Sequence, residues 1–229
     1  GERYPRAQVI GADFSEPMLR ASLAPRSRLR WLMPFLRGAK SALVAADAAA
    51  LPFAAGSQGL VWSNLLLHWL ADPQPALREM HRVLEVDGLL MFSTLGPDSL
   101  KELRACFPDG AARSLRFIDL HDYGDMLVEC GFADPVMDME VIRLTYDDLD
   151  AMFRELRAAG SSCAMKARRH GLTGRRGWAA ACAAYERLRS DGKLPATFEV
   201  VYGHAWKAAP RVTEDGRSII RFSPGGCAQ

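Results

Sequence analysis

Ala7-Gln-Val-Ile-Gly-Ala-Asp13-Phe-Ser-Glu-Pro-Met-Leu19 is the stretch that decides the fold. An apolar run of Val9, Ile10 and Ala12 ends in a carboxylate, Asp13. Ser15 then stands where a helix N-cap belongs, Pro17 falls in the first turn, and Met18 and Leu19 begin an apolar helix face. A buried parallel strand feeding a helix has this form. In doubly wound α/β folds an acid at the tip of the second strand accepts hydrogen bonds from a ribose diol. Its anionic oxygens suit two adjacent hydroxyl donors better than a neutral side chain would. The plainer reading makes Asp13 a capping side chain in an ordinary strand-to-helix turn.

Working outward, the same form recurs. Ser41 to Ala46 reads as a second buried strand ending at Asp47, followed by Ala-Ala-Ala-Leu-Pro-Phe53. Gly59 to Asn64 reads as a third, continuing into Leu65-Leu-Leu-His-Trp69. Pro75 to Glu85 is a predicted helix with Leu77, Met80, Val83 and Leu84 on one face, closed near Gly88. Leu89 to Thr94 is a fourth strand, and Gly96-Pro-Asp98 turns into a helix over Ser99 to Cys106. A helix over His121 to Cys130 stops at Gly131, and a strand covers Val136 to Leu144. This order calls for an α/β fold with a mostly parallel sheet and helices on its faces.

From Tyr146 the texture changes. Asp147 to Ala159 and Trp178 to Arg189 read as helices, separated by a Gly- and Arg-rich passage from Gly160 to Gly177. Thr197 to Lys207 alternates with period two, placing Phe198, Val200, Tyr202, His204 and Trp206 on one side of a strand. The tail from Pro210 is expected to be loose, with Ser218 to Phe222 as a short edge strand. Three parts result: residues 1–145 as a Rossmann-like core, 146–196 as a helical lid over the substrate, and 197–229 as the final strand and tail.

The 229 residues, 49% hydrophobic and 24% charged, can build a sizeable core and are neither disordered nor collagen-like. The net charge of +2 conceals local bias. Residues 3–40 hold eight Arg or Lys against Asp13 and Glu16, and residues 166–193 hold eight against Glu186 and Asp191. Such stretches suit an acidic partner or form a solvated basic face. Within the first, Trp31, Leu32, Phe35 and Leu36 have the spacing of a short amphipathic helix, which weighs against nucleic-acid binding. The five cysteines form no Cys-x-x-Cys pair, and the five histidines have no ligand spacing. A disulfide framework and a metal site are therefore not expected. With no signal-peptide pattern and no apolar run near 18 residues, a cytoplasmic protein is expected, with no membrane partner.

Asp13, Asp47 and Asn64 end three successive strands, and in an open parallel sheet such ends face one crevice where ligands bind. One acid can take a ribose, a second the amino group of an adenine. Asp13-x-Ser-x-x-Met-Leu, Ala46-Asp-Ala-x-x-Leu-Pro-Phe and Ser63-Asn-Leu-x-x-His-Trp, with Arg82-Val-Leu-Glu-Val-Asp-Gly88, resemble the class I S-adenosylmethionine-dependent methyltransferases. Later segments narrow the match: Phe92-Ser-Thr-Leu-Gly-Pro-Asp-Ser-Leu-Lys-Glu-Leu-Arg104, Asp119-Leu-His-Asp-Tyr-Gly-Asp-Met-Leu127, the run from Gly131 to Glu140, and Val200-Val-Tyr-Gly-His-Ala-Trp206. Together they resemble the malonyl-ACP O-methyltransferases of biotin synthesis, over nearly the whole chain from Val9 to Lys207.

This resemblance implies S-adenosyl-L-methionine as cofactor, with Asp13 on the ribose, Asp47 and Ala48 at the adenine, and Asn64, Leu65 and Leu66 along the methionine side. Phe14 and Met18 flank the same ligand. On the substrate side it points to His68, Trp69, Arg143, Arg175, Arg176 and Tyr202, with Lys166, Arg168 and Trp206 as further candidates. The partner implied is an acyl carrier protein bearing a malonyl group; a monomer and no nucleic acid are expected. Two departures stand out. Glu85-Val-Asp-Gly88 replaces the usual Lys-Pro-Gly-Gly turn. The Gly-rich loop after the first strand belongs about twenty residues before Asp13, and twelve residues precede Asp13 here. The first strand is thus expected to be missing, and the chain as given to methylate poorly or not at all.

The implied reaction needs no general base, because a malonyl carboxylate is already ionised at neutral pH, carboxyls titrating near ~4. A cation must capture that carboxylate, and the planar fork of arginine does so best. Gly171-Leu-Thr-Gly-Arg-Arg-Gly-Trp178 is the passage best suited to supply it. Two other readings stay open: a different small-molecule or quinone methyltransferase, and a relative of the complex I assembly factors that act on a protein arginine. The latter rests on Leu149 to Cys163 and Pro195 to Trp206.

Overall fold

The computed structural model describes residues 7–23, 42–106, 117–158 and 174–209. Strand β1 (Ile10–Asp13) leads into helix α1 (Glu16–Leu23), and β1 pairs in parallel with β2 (Ala42–Ala45), from Ile10 opposite Ala42 to Asp13 opposite Ala45. The Ser15 carbonyl receives the first helical N–H groups, from Met18 and Leu19. The side chain that shapes the turn is Asp13, which accepts the N–H of Ser15 itself.

A second sheet has four strands in the order β3-β4-β6-β5: β3 (Gln58–Asn64), β4 (Leu84–Leu95), β5 (Phe132–Tyr146) and β6 (Leu194–Lys207). β3 and β4 are parallel, and β6 runs antiparallel to both β4 and β5. Three of the four strands therefore point the same way, with β6 alone reversed. β1 and β3 form no ladder with each other among the described residues. Ile10, Leu60 and Trp62 on these strands are open, Trp62 being 74% exposed, whereas Val61 packs against the main core.

Helix α2 (Gln74–Val83) buries Ala76, Leu77, Met80 and Val83 as one stripe. It stops earlier than the sequence predicts. The Leu84 N–H closes on the Met80 carbonyl, and Leu84 is already extended. Gly88 is not a helix cap: it lies within β4 beside a register shift, where a Cβ would sit 2.8 Å from the Glu85 carbonyl oxygen. Helix α3 (Lys101–Ala105) follows β4, and α4 (Leu120–Glu129) is capped by Asp119, whose carboxylate accepts the His121 N–H. α2 and α4 cover one face of the sheet. Leu77, Met80, Tyr123 and Leu127 meet Leu90, Phe92 and Ala205 in the main core.

β6 alternates with period two as the sequence predicts, and the side that carries Tyr202, His204 and Trp206 is the open one. Val201, Gly203 and Ala205 are buried, whereas Tyr202 and Trp206 are exposed and His204 is half-buried. Small residues let the core approach: a Cβ on Gly203 would lie 2.3 Å from the Phe92 ring. The open face carries Leu60, Trp62, Met91, Tyr202 and Trp206.

Helices α5 (Leu149–Ala158) and α6 (Arg175–Glu186) lie between the facing ends of β5 and β6, where Tyr146 pairs with Leu194. α6 begins before the expected Trp178. A second cluster of Met152, Leu156, Tyr185, Tyr146, Leu194 and Leu100 joins the helices to the hairpin. The Tyr185 hydroxyl donates to the Pro195 carbonyl at 2.7 Å. The expected helix around Trp31 to Leu36, the cations Lys166 and Arg168, and the Ser218 to Phe222 strand lie outside the described residues.

Candidate active site

The carboxyl ends of β1 and β2 stand side by side, since the Ala46 N–H donates to the Asp13 carbonyl at 3.0 Å. Asp13 Oδ1 accepts the Ser15 N–H at 2.7 Å, and Asp47 Oδ1 accepts the Ala49 N–H at 2.9 Å. Each exposed carboxylate keeps a second oxygen with no protein partner among the described residues. Asp13 shapes the turn ahead of the helix, accepting the N–H of Ser15 and not a helical N–H, and this one bond does not consume the carboxylate. Beside them Phe14 is 83% exposed and Met18 is also open, whereas Ala48 packs with Leu51 and Leu66 against the main core.

At the end of β3 the Ser93 hydroxyl donates to Asn64 Oδ1 at 2.5 Å. Leu65 takes a left-handed conformation, φ 51°, and its N–H donates to the Ser93 carbonyl at 2.9 Å. Ser93 lies opposite Asn64 in one ladder and opposite Tyr202 in the next. Asn64, Ser93 and Tyr202 therefore form a row across three strands on the open face.

His68 belongs to the other face. It sits buried in a 3₁₀ turn, Leu67–Trp69, with Nδ1 3.3 Å from Thr94 Oγ1, which in turn lies 3.5 Å from the Tyr123 hydroxyl. The rings of Trp69 and Phe117 pack against it at 5.4 Å and 6.1 Å. Burial pushes the His68 pKa down to about 4, so the ring is neutral at pH 7. His68 and Tyr202, both expected at the substrate, are thus separated by the sheet. Trp69 is at the rim.

Arg143 stands on β5, the edge strand farthest from β3, in a cleft of about 460 Å³ with Glu102, Asp191 and Lys193. Arg175 and Arg176 open α6 and are exposed. The structure does not bring these arginines into the row of Asn64, Ser93 and Tyr202. Among the described residues no group of His, Cys, Asp or Glu could hold a metal ion, and no helix is long and apolar enough to cross a membrane.

Sequence reasoning missed Glu199, a buried carboxylate whose Oε2 accepts the Asp98 N–H at 2.7 Å. Its carbonyl accepts the Gly96 N–H at 2.8 Å and the Ser99 hydroxyl at 3.1 Å. The loop after β4 is thereby fastened to β6. An acid within the alternating Thr197 to Lys207 run was the available signal.

A family model described as a methyltransferase domain matches residues 2–92. The malonyl-[acyl-carrier protein] O-methyltransferase of Laribacter hongkongensis (strain HLHK9) is 55% identical over 230 residues, covering 97% of this chain and 76% of that relative. This chain belongs to that family. The enzyme of the same name from Gallionella capsiferriformans (strain ES-2) is 52% identical over 224 residues, with the same two coverages, 97% and 76%. The solved structure of the YcgJ protein from Bacillus subtilis shares the fold, with a TM-score of 0.57 at 13% identity, covering 89% of this chain and 83% of that one. The class I methyltransferase architecture expected from the three strand ends is the architecture observed. Within it, the free oxygens of Asp13 and Asp47 are acceptors of the kind a ribose diol and an adenine amino group require.

Proposed function

We propose that this protein transfers the methyl group of S-adenosylmethionine to the free carboxylate of a malonyl group carried by an acyl carrier protein. The ester formed primes the pimeloyl chain of biotin. The observation that carries this reading is the 55% identity, over 97% of the chain, to a relative named for that reaction. On the same reading the protein works in the cytoplasm as a monomer, without nucleic acid or membrane.

The bound cofactor supplies an electrophilic methyl on a positive sulfur. The remaining work falls to residues of this chain. Asp13 holds the ribose through the oxygen that Ser15 does not use, and Asp47 and Ala48 face the adenine, flanked by Phe14 and Met18. Asn64, Leu65 and Leu66 line the methionine end, with Ser93 fixing both the Asn64 amide and the Leu65 backbone. No side chain needs to remove a proton, because a malonyl carboxylate is ionised well below pH 7. Exclusion of water and alignment of opposite charges supply much of the rate. A neutral His68 cannot provide the cation that holds the carboxylate. That role falls to an arginine, with Arg143, Arg175 and Arg176 the candidates on described elements, while Trp69 and Tyr202 wall the substrate.

The test is to incubate the protein, as its gene encodes it, with methyl-labelled cofactor and malonyl-acyl carrier protein. A base-labile label on the malonyl carboxylate is the expected product. Label on a protein arginine, or on an apolar small molecule in preference to malonyl thioester, would overturn the reading.

A further inference from the structure

The segment from Ala46 to Ser57 carries Asp47 and Ala48 yet contains no helix or ladder strand, only an isolated bridge between Asp47 and Ala50. Its backbone is held instead by two side chains of α2. Glu79 Oε2 accepts the Leu51 N–H at 2.8 Å. Arg82 donates from Nη2 to the Leu51 carbonyl at 2.9 Å and from Nη1 to the Phe53 carbonyl at 2.8 Å. The two side chains are locked to each other through Arg82 Nε to Glu79 Oε1 at 2.7 Å and Nη2 to Glu79 Oε2 at 2.8 Å. One planar guanidinium thus serves two carbonyls and a carboxylate, which a lysine ammonium could not match in that geometry.

The end of α2 reinforces the grip. Gly56 N–H donates to the Arg82 carbonyl at 3.0 Å and Ser57 N–H to the Val83 carbonyl at 2.9 Å. Lys207 Nζ, from β6, donates to the Leu84 carbonyl at 2.7 Å. Leu51 and Ala48 also rest against the main core. The chain between Leu51 and Ser57 is therefore tied to α2 at both ends, and Asp47 lies four residues before the first tie.

We propose that Glu79 and Arg82 are positioning residues for the cofactor, a brace that fixes the backbone of Leu51 and Phe53 and through it the reach of Asp47 and Ala48. Neither side chain touches the ligand. Their place in the chain of cause is one step behind the adenine contacts, and the inference rests on the assignment of Asp47 and Ala48 to the adenine. A brace of this kind sets the affinity for adenine-bearing ligands while leaving the acceptor site unchanged.

Two arms test it on the protein as its gene encodes it, with Arg82→Lys, Glu79→Gln and Asp47→Asn. In the ligand-free protein, hydrogen exchange at the amides of Leu51, Gly56 and Ser57 should quicken about tenfold in Arg82→Lys, the worth of one charge-assisted bond, with Leu90 and Val201 unchanged. Binding of S-adenosylhomocysteine, and of adenosine alone, should weaken by a similar factor. In Arg82→Lys and Glu79→Gln the KM for malonyl thioester at saturating cofactor should hold, and Asp47→Asn should weaken S-adenosylhomocysteine binding little further when added to Arg82→Lys. Unchanged loop exchange would overturn the brace. So would loosening spread through β4 and β6, or loosening with full ligand affinity. Failure of the parent protein to bind S-adenosylhomocysteine would instead strike the methyltransferase reading, and the exchange arm separates the two.

Discussion

The β1–β2 pair and the four-stranded sheet are built to different standards. In the larger sheet, helices α2 and α4 seal one face, and Leu77, Leu90, Tyr123 and Leu127 are fully buried. Around β1 and β2, Leu19 is the one buried side chain among the described residues, and Val9 and Ile10 are 41% and 39% exposed. Yet this lightly packed pair carries both carboxylates assigned to the cofactor. Apolar burial at ~25 cal/mol per Å² consolidates the first region; the second depends on its ladder, its Asx turns and the brace from α2. The buried core thus lies in the larger sheet, while the two carboxylates assigned to the cofactor stand at the ends of the lightly packed pair.

The largest effect that could break this contrast is a pair of truncations. Leu77→Ala, in the main core, should cost about 2–5 kcal/mol in denaturant unfolding. Ile10→Ala, at a strand 39% exposed there, should cost less than about 1 kcal/mol. Equal costs would mean that β1 is as consolidated as the core.

A pH series sharpens it. His68 is held near pKa 4 by burial against an unfolded value of 6.5. The unfolded chain therefore takes up the proton first. Stability should be full above pH 6.5 and fall as pH drops toward 4, by on the order of 3 kcal/mol from this group. Burial lowers the pKa of His81 as well, so it adds in the same direction. His68→Gln should flatten that acid limb, and an unaltered limb would remove His68 from the buried core.

What the sequence made legible follows the same division. Strand ends at Asp13, Asp47 and Asn64 could be found because apolar runs stop at polar residues, and the α2 stripe because its period is helical. The outward face of β6 could not. Its large residues advertise a core, but the core forms where Gly203 and Ala205 allow Phe92 to come close. The separation of His68 from Tyr202 was equally hidden, since it depends on which face of the sheet each side chain takes. Ser93 and the Arg82 brace join residues 28 to 31 positions apart, a distance over which local pattern carries no information.

The smallest effect concerns the partner. If the basic stretches of residues 3–40 and 166–193 meet an acidic carrier, added salt should lower kcat/KM for malonyl-acyl carrier protein several-fold more than for malonyl-coenzyme A. Equal salt slopes would show that these charges do not read the carrier.

Asp13→Asn tests the division between folding and ligand contacts most directly. Asparagine keeps an oxygen for the Ser15 N–H but removes the charge offered to a ribose. Calorimetric titration of S-adenosylhomocysteine into the protein as its gene encodes it should show affinity lower by ~1.5–3 kcal/mol, the worth of bonds to a charged group. The unfolding midpoint of the ligand-free variant should stay at the parent value. Unchanged affinity in a folded variant, or lost affinity accompanied by an equal loss of stability, would contradict the assignment of Asp13 to the cofactor.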